Sequence, residues 1–170
     1  MKQTSKGFTL IELVVVIVIL GILAVVAAPR FLNLQHDARV SSIQGMAASV
    51  HNAAELAFGK SAIEGQEKLP AYHVDGAGSV QFGYPIVENG GLEQFMTAEM
   101  NYKNGDGEWV WDAFNAGKTP ANPNYRVITQ SKWVKAYDRD SIKASNCYVK
   151  YTTAMEEGDD YKVEVFTDGC

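Results

Sequence analysis

An uninterrupted apolar segment near the N-terminus, residues 8–28, constrains this chain more than any other feature of its sequence. It contains one charged side chain, Glu12, and one other polar side chain, Thr9. As a helix it is long enough to span the roughly 30 Å hydrocarbon core of a bilayer. Lys2 and Lys6 precede it without an acidic neighbour, so the positive-inside rule places this end in the cytoplasm. We therefore predict a single membrane-spanning helix.

Two ordinary classes of segment explain this apolar run only in part. A secretory signal peptide would account for the basic start and for the small residues before Pro29. However, the run carries an acid, and Pro29 stands where cleavage would fall. A plain membrane anchor fits the length but gives no reason for Glu12, because a carboxylate within a membrane is costly unless it has a partner. We therefore expect a partner for Glu12.

The residues around the start of the run carry a more specific signal. Gly7-Phe8-Thr9-Leu10-Ile11-Glu12 resembles the processing site of type IV prepilins and of type II secretion pseudopilins. In that family a prepilin peptidase in the membrane cuts after the glycine and methylates the new amino terminus. The resemblance implies that residues 1–7 are a leader peptide ending at Gly7. It also implies that Phe8 becomes the N-methylated first residue of the mature chain.

Glu12 and Pro29 also match positions of this family. The resemblance implies that Glu12 acts in assembly and that Pro29 bends the long helix. If Glu12 meets the amino terminus of a neighbouring subunit, two isolated charges become one hydrogen-bonded pair. Residues 8–28 would then pack side by side as the core of a filament. Glu12 would set the register of the subunits and help to draw each one out of the bilayer.

A second stretch narrows the resemblance. Residues 27–35, AAPRFLNLQ, and the following Asp37-Ala38-Arg39 are similar to the pilins of mannose-sensitive haemagglutinin pili. The similarity returns near the C-terminus, whereas the sequence between is largely this chain's own. It implies a major structural subunit of a type IV pilus that serves attachment and biofilm formation. The implied partners are other copies of the chain, the inner-membrane assembly machinery and a surface ligand of unknown identity.

Beyond the apolar run, residues 29–59 have one apolar face. Apolar side chains recur every three or four residues, which predicts an amphipathic helix that continues into the globular domain. Pro29 removes one backbone hydrogen bond and is expected to kink or locally unwind the helix. Gly59 is the predicted C-cap. The predicted buried stripe consists of Ile43, Met46, Ala47, Val50, Ala53, Ala54, Ala57 and Phe58.

Residues 60–170 are predicted to form a surface globular domain of short strands and turns. Pro85 restricts its strand to an edge or to irregular structure. The last two strands are rich in Tyr, Val and Thr and are predicted to form a hairpin around an acidic turn at residues 155–160. The whole is an α+β fold with the long helix packed on a small antiparallel sheet, as in pilins. The candidate strands lie within residues 78–87, 108–111, 125–129, 147–153 and 161–167.

The chain has two cysteines, Cys147 and Cys170. An even pair in an exported chain predicts a disulfide formed in an oxidising compartment; two free thiols in a cytosolic protein are the alternative. The predicted hairpin would bring the two cysteines together at its open end. The pair also resembles the disulfide-bounded region of type IV pilins, which here would be residues 147–170.

Catalytic motifs are missing from the sequence: there is no nucleophile elbow, no His-x-x-x-His and no phosphate loop. We therefore predict no catalytic residue, no cofactor and no enzymatic activity. Net charge is −5, and no basic run interleaved with aromatics points to nucleic acid. Asn104, Asp106 and Glu108 resemble part of a calcium loop, a ligand known among pseudopilins, but a hairpin turn is the favoured interpretation.

Two other functions stay open at this point. The chain could be a type II secretion pseudopilin that forms a short periplasmic fibre. It could also be a membrane-tethered glycan-binding module, because Trp109, Trp111 and Trp133 could stack on sugars. Core or subunit contacts are the favoured role of these tryptophans. The pilin interpretation predicts a single-pass precursor in the inner membrane and then an extracellular pilus on the cell surface.

Overall fold

The structure, a computed structural model, describes residues 7–115 and 123–170, and only the backbone of residues 28–33. The predicted leader therefore lies outside the described residues except for Gly7. The chain divides into two units, Met1–Ala38 and Arg39–Cys170. The helices are α1 (Leu10–Ile63) and α2 (Arg139–Ala144). The strands are β1 (Tyr72–His73), β2 (Ser79–Gln81), β3 (Tyr84–Pro85), β4 (Met100–Tyr102), β5 (Trp109–Phe114), β6 (Tyr125–Gln130), β7 (Tyr148–Thr152) and β8 (Lys162–Phe166).

In the second unit, α1 buries one stripe against the domain. Seven of the eight residues of the predicted stripe are buried, from Ile43 to Ala57, and Phe58 is half-buried. The polar side chains between them, such as Gln44, His51 and Glu55, are exposed. The 3.6-residue period thus places the apolar side chains on one face, as predicted.

The end of α1 differs from the prediction. The helix continues past Gly59 to Ile63, and Gly65, with φ 68°, ends it. The N–H of Gly65 donates to the carbonyl of Ala62 (3.1 Å) and that of Gln66 to Ser61 (2.9 Å), the pattern of a Schellman motif. The predicted C-cap at Gly59 is therefore wrong, because the capping glycine is Gly65, six residues later. Ser61 in the extra turn is fully buried, and its hydroxyl donates a 2.8 Å hydrogen bond to the carbonyl of Ala57.

The strands form two sheets. A three-stranded sheet has the order β1-β2-β3, with Pro85 on an edge strand as predicted. A five-stranded sheet has the order β4-β5-β6-β7-β8. The predicted hairpin of β7 and β8 is confirmed, with Lys150 opposite Glu164. Their side chains form an ion pair of 2.6 Å. The α+β fold class is confirmed.

One pairing is not the expected hairpin. Residues 104–107 do turn, but β4 and β5 then run parallel, with Asn101 opposite Val110. A turn signal predicts a change of chain direction, not the number of reversals. Here the chain reverses twice within one short connection. Lys103 adopts φ 51°, and Gly105 lies so close to Tyr137 that a Cβ would have no room. The hairpin-turn prediction is therefore wrong for this pair of strands.

A buried arginine joins the five-stranded sheet to the segment that follows β3, and nothing in the sequence pattern predicts this contact. Arg126 on β6 is fully buried. Its Nε donates to the carbonyl of Val87 (2.8 Å), and its Nη2 donates to that of Glu88 (2.6 Å). Its Nη1 forms an ion pair with Glu93 (2.7 Å), and its guanidinium lies 3.5 Å from the ring centroid of Trp111. Burial lowers the pKa of Arg126, and Glu93 partly offsets this effect.

A disulfide links Cys147, just before β7, to Cys170 at the C-terminus. Arg39 on α1 donates a 3.2 Å hydrogen bond to the carbonyl of Cys170, so the C-terminus is also held to the helix. The bridge closes the whole β7–β8 hairpin.

We predict that changing both Cys147 and Cys170 to serine lowers the free energy of unfolding by about 3 kcal/mol, because the open chain gains entropy when the bridge is lost. Urea unfolding of the full mature chain in detergent would measure the loss. The fluorescence of the buried Trp109 and Trp111 would report on it. A loss below about 1 kcal/mol would contradict this expectation.

Candidate functional site

The first turn of α1 holds a reciprocal set of hydrogen bonds between Thr9 and Glu12. The Thr9 backbone N–H donates to Oε2 of Glu12 (2.8 Å), and the Thr9 hydroxyl donates to the same oxygen (2.6 Å). The Glu12 N–H in turn donates to the Thr9 hydroxyl oxygen (3.3 Å). This is a capping box, with Thr9 as the N-cap and Glu12 three residues later. The spacing is a sequence signal, but the sequence analysis assigned Glu12 only to a contact between subunits.

The box leaves part of the Glu12 carboxylate free. Oε2 accepts both bonds from Thr9, whereas Oε1 accepts none from the described residues. A carboxylate in the first turn is also stabilised by the positive end of the helix dipole. Glu12 is therefore supported within its own chain, and its Oε1 accepts no hydrogen bond from the described residues.

Gly7 and Phe8 precede the helix. Neither belongs to a helix or strand, and both are exposed. The bond that the sequence analysis predicts to be cut thus lies in an accessible, non-helical segment. Cleavage would place a new amino group one residue before the N-cap Thr9.

The helix that follows is apolar and uncovered. Leu10–Ala27 is the one helix in the described part of the chain that is long and apolar enough to cross a membrane. Its side chains from Leu10 to Val26 are exposed. Helical backbone continues across Pro29, whose side chain lies outside the described residues. The bend there stays a prediction.

The calcium prediction at residues 104–108 finds no support in the geometry. Oδ1 of Asn104 accepts a 2.9 Å hydrogen bond from the backbone N–H of Asp106, so it serves the turn. Asp106 and Glu108 are exposed. Within residues 7–115 and 123–170, no group of three His, Cys, Asp or Glu side chains could hold a metal ion. Calcium binding at this loop therefore stays an untested prediction.

The tryptophans pack inward. Trp109 and Trp111 are buried in the core between α1 and the five-stranded sheet. Trp133 is half-buried, with the Arg39 guanidinium 5.6 Å from its ring centroid. This favours the core role over sugar stacking.

A second polar cluster lies where α1 meets β8. The hydroxyl of Tyr161 donates to Oε1 of Glu55 (2.9 Å) and lies 2.9 Å from Nδ1 of His51. Burial raises the pKa of Tyr161 to about 12, and the bond to Glu55 adds to the effect. Burial likewise raises the pKa of Tyr84 to about 12, with Asp160 contributing. His51 and Glu55 lie within the predicted helix 29–59, but the sequence gives no signal for their partner.

We predict that the domain loses stability between pH 10 and about 12. The unfolded chain ionises these phenols near pH 10, whereas the folded chain retains their protons until about pH 12. Rising pH therefore favours the unfolded state over this window. Tyr161→Phe is expected to reduce the loss of stability between pH 10 and about 12, because one of the two phenols is gone. The variant is less stable at neutral pH, because it lacks the hydrogen bond to Glu55. Urea midpoints from pH 8 to 12 would test this, and equal slopes in the two chains would contradict it.

Known proteins resemble this chain in sequence. Residues 2–28 match the family described as the prokaryotic N-terminal methylation motif. The chain is 49% identical over 53 residues to the type IV narrow pilus major component of Thermus thermophilus. The matched stretch covers 31% of this chain and 46% of that protein. The chain is 42% identical over 66 residues to a type IV major fimbrial protein of Dichelobacter nodosus, covering 38% and 41% of the two chains.

A third relative is the type IV major alpha-pilin of Moraxella bovis, 41% identical over 62 residues, which covers 36% of this chain and 33% of that protein. The chain thus spans less than half the length of each of these relatives. No solved structure gives a significant match. The narrower resemblance to haemagglutinin pilins is not tested by these matches and stays a prediction.

Proposed function

The chain belongs to the type IV pilin family, and we propose that it is the major structural subunit of a type IV pilus. The observation that carries this proposal is the exposed apolar helix Leu10–Ala27, whose first turn holds the capping box of Thr9 and Glu12. An apolar surface of this length must be covered by a bilayer or by protein. In the precursor the inner membrane covers it, and in the pilus the same helices of neighbouring subunits cover it.

Assembly begins with processing at the exposed Gly7–Phe8 bond. Prepilin peptidase removes residues 1–7 and methylates Phe8, whose amine stays protonated. The amine of one subunit then pairs with the free Oε1 of Glu12 in its neighbour. Such a charge-assisted pair is stable in an apolar filament core only when both partners are present. Contacts of this head-to-tail kind do not close on themselves and therefore build an open fibre.

The second unit then lies on the outside of the fibre. Its disulfide suits export, since such bonds persist in oxidising compartments. The inner-membrane assembly machinery would move each subunit from the bilayer into the growing fibre. The filament would serve attachment to surfaces and biofilm formation, and the haemagglutinin-type resemblance is the reason for this finer assignment.

Among residues 7–115 and 123–170, we find no feature that favours either of the two alternatives. A type II secretion pseudopilin would use the same N-terminal helix and differ in the length and place of its fibre. A membrane-tethered glycan-binding module would use Glu12 only to cap its own helix, and the inward packing of Trp109 and Trp111 does not favour such a module.

The test is the intact mass and N-terminal sequence of protein sheared from the cell surface. We expect a chain that begins at N-methylated Phe8 and is two hydrogens lighter than the reduced form because of the Cys147–Cys170 bond. Long surface fibres separate this function from a periplasmic pseudopilus. A chain that still begins at Met1 and stays in the membrane, or one cut after Ala28, would overturn the proposal.

A further inference from the structure

The second unit contains a cleft of about 460 Å³ beside the last turns of α1. Three aromatic residues line it: Phe58 from α1, Phe82 from the turn between β2 and β3, and Tyr84 from β3. The rings of Phe58 and Tyr84 are stacked, with centroids 5.1 Å apart. The loop between β7 and β8 contributes Asp159 and Asp160 to the lining. The cleft is therefore lined by both aromatic and acidic side chains.

The turn between β2 and β3 holds this aromatic wall in place. Its two central residues, Phe82 and Gly83, have φ values of 48° and 84°, as in a type I′ hairpin turn. A Cβ on Gly83 would lie 2.7 Å from the ring of Phe58, so glycine lets the turn approach the helix. Phe82 is an unusual choice, because a bulky side chain is disfavoured at positive φ and Asn fits that position better. The local fold alone gives no reason for an aromatic ring there.

The charges around the cleft are mostly negative. Four carboxylates, those of Glu67, Glu157, Asp159 and Asp160, line it together with one ammonium group, that of Lys68. Nζ of Lys68 lies 3.4 Å from Glu157, and both side chains are largely exposed. The negative charge of Asp160 adds to burial in raising the pKa of Tyr84. A positively charged group that entered the cleft would therefore meet a favourable potential.

We propose that this cleft binds an organic cation, a guanidinium or alkylammonium group. Aromatic faces attract such cations, because the ring quadrupole is negative above its plane, and the attraction grows when water is excluded. The carboxylates supply the compensating charge, and the rings cover the carbon atoms that an inorganic ion lacks. Lys68 already lies at the cleft and would be displaced or moved aside. This inference does not depend on the chain forming a pilus.

The cation can come from two sources. It can be a small molecule in solution, or it can be the side chain of an Arg or Lys on a second copy of the chain. Both offer the same chemistry to Phe82 and Asp160. A test on dispersed subunits establishes the site, and the same test on assembled fibres identifies the source.

The first experiment uses the full mature chain dispersed in detergent. Agmatine and tetramethylammonium are titrated at constant ionic strength while the ring NMR signals of Tyr84, assigned with Tyr84→Phe, are followed. Butanol serves as the neutral control. We expect saturable shifts with both cations and none with butanol.

Two variants make the test specific. Phe82→Asn removes the ring but suits the turn, so the fold is kept while affinity for the cations falls about five- to tenfold. Asp160→Asn should lower it by a similar factor. Phe166→Ala and Asp168→Asn, which lie away from the cleft, serve as matched controls and should leave the affinity unchanged. Lack of saturation in the unsubstituted chain would overturn the proposal, and so would an affinity in Phe82→Asn and Asp160→Asn that equals that of the unsubstituted chain.

The second experiment repeats the titration on sheared fibres. Binding that persists in the fibre assigns the site to a cation from solution. Binding that is present in dispersed subunits and absent from fibres assigns it to a side chain of a neighbouring copy. If fibres do not form, the pilus proposal fails. The titration of dispersed subunits still shows whether the cleft binds an organic cation.

Discussion

Cells that produce the Glu12→Gln variant are expected to contain a normally processed subunit but almost no surface filaments. Gln keeps the size of the side chain and can still accept the hydrogen bonds from Thr9, so the capping box survives. What it lacks is the negative charge. The methylated amine of Phe8 in a neighbouring subunit would then be buried without a counter-charge, and breaking such a pair by removing one partner is strongly destabilising.

Thr9→Val is the matched counterpart of this variant. It removes the hydroxyl that caps the helix while the Glu12 carboxylate remains. The loss of an N-cap weakens a helix only modestly, and the bilayer or the filament core supports the helix in any case. We therefore expect Thr9→Val to assemble at a reduced but substantial level. The comparison separates the local role of Glu12 from its role between subunits.

Sheared surface protein, compared with total cell protein, measures assembly, and the mass of the subunit measures processing. We expect Glu12→Gln, Glu12→Ala and Glu12→Val each to lower the sheared fraction by more than about tenfold with the leader removed. Asp37→Asn, which changes an exposed acid further along α1, should leave both readouts unchanged. Abundant filaments from Glu12→Gln would show that the charge is dispensable, and equal losses in Glu12→Gln and Thr9→Val would assign the effect to the helix cap.

The features that the sequence predicts correctly are the local and periodic ones. The stripe from Ile43 to Ala57 follows from its spacing alone, and the β7–β8 hairpin follows from two strand-like runs around an acidic turn. The end of α1 was misplaced because Gly59 and Gly65 are equally plausible caps from sequence. The burial of Ser61, which depends on distant parts of the chain, favours the later one.

The features that sequence missed depend on contacts between distant residues. In the sequence, Arg126 is one polar residue within a predicted strand. Its burial is explained by its hydrogen bonds to the carbonyls of Val87 and Glu88, which lie far earlier in the chain. The cleft combines residues from 58 to 160 and has no motif. The capping box of Glu12 depends on neighbouring residues only, and the Thr-x-x-Glu spacing of residues 9–12 is sufficient to predict it from the sequence.

Arg126→Met is expected to lower the free energy of unfolding by about 3–5 kcal/mol, because it leaves Glu93 as an uncompensated and mostly buried charge. The Glu93 side chain is 16% exposed, so water compensates little of this loss. The carbonyls of Val87 and Glu88 lose their donors as well. Met keeps much of the apolar volume beside Trp111, so a cavity contributes little to the loss.

The double variant Arg126→Met/Glu93→Gln separates the charge from the hydrogen bonds. Gln at position 93 removes the stranded charge and can still accept the bond from the N–H of Gly90. We therefore expect it to be more stable than Arg126→Met alone, although Glu93→Gln by itself should be destabilising. This sign reversal is the mark of a coupled pair, since independent sites would add. Urea unfolding of the oxidised mature chain in detergent, followed by tryptophan fluorescence, measures all four chains.

Arg139→Met is the control, because Arg139 forms its ion pair with Asp140 at the surface and should be dispensable there. A loss below about 1 kcal/mol for Arg126→Met, or additive losses in the double variant, would mean that the ion pair does not hold the five-stranded sheet to the segment after β3. The expected result would instead make Arg126 the central polar contact of the second unit. Arg126 joins the five-stranded sheet to the segment that follows β3. Its guanidinium supplies hydrogen bonds to the carbonyls of Val87 and Glu88, which apolar packing against α1 cannot supply.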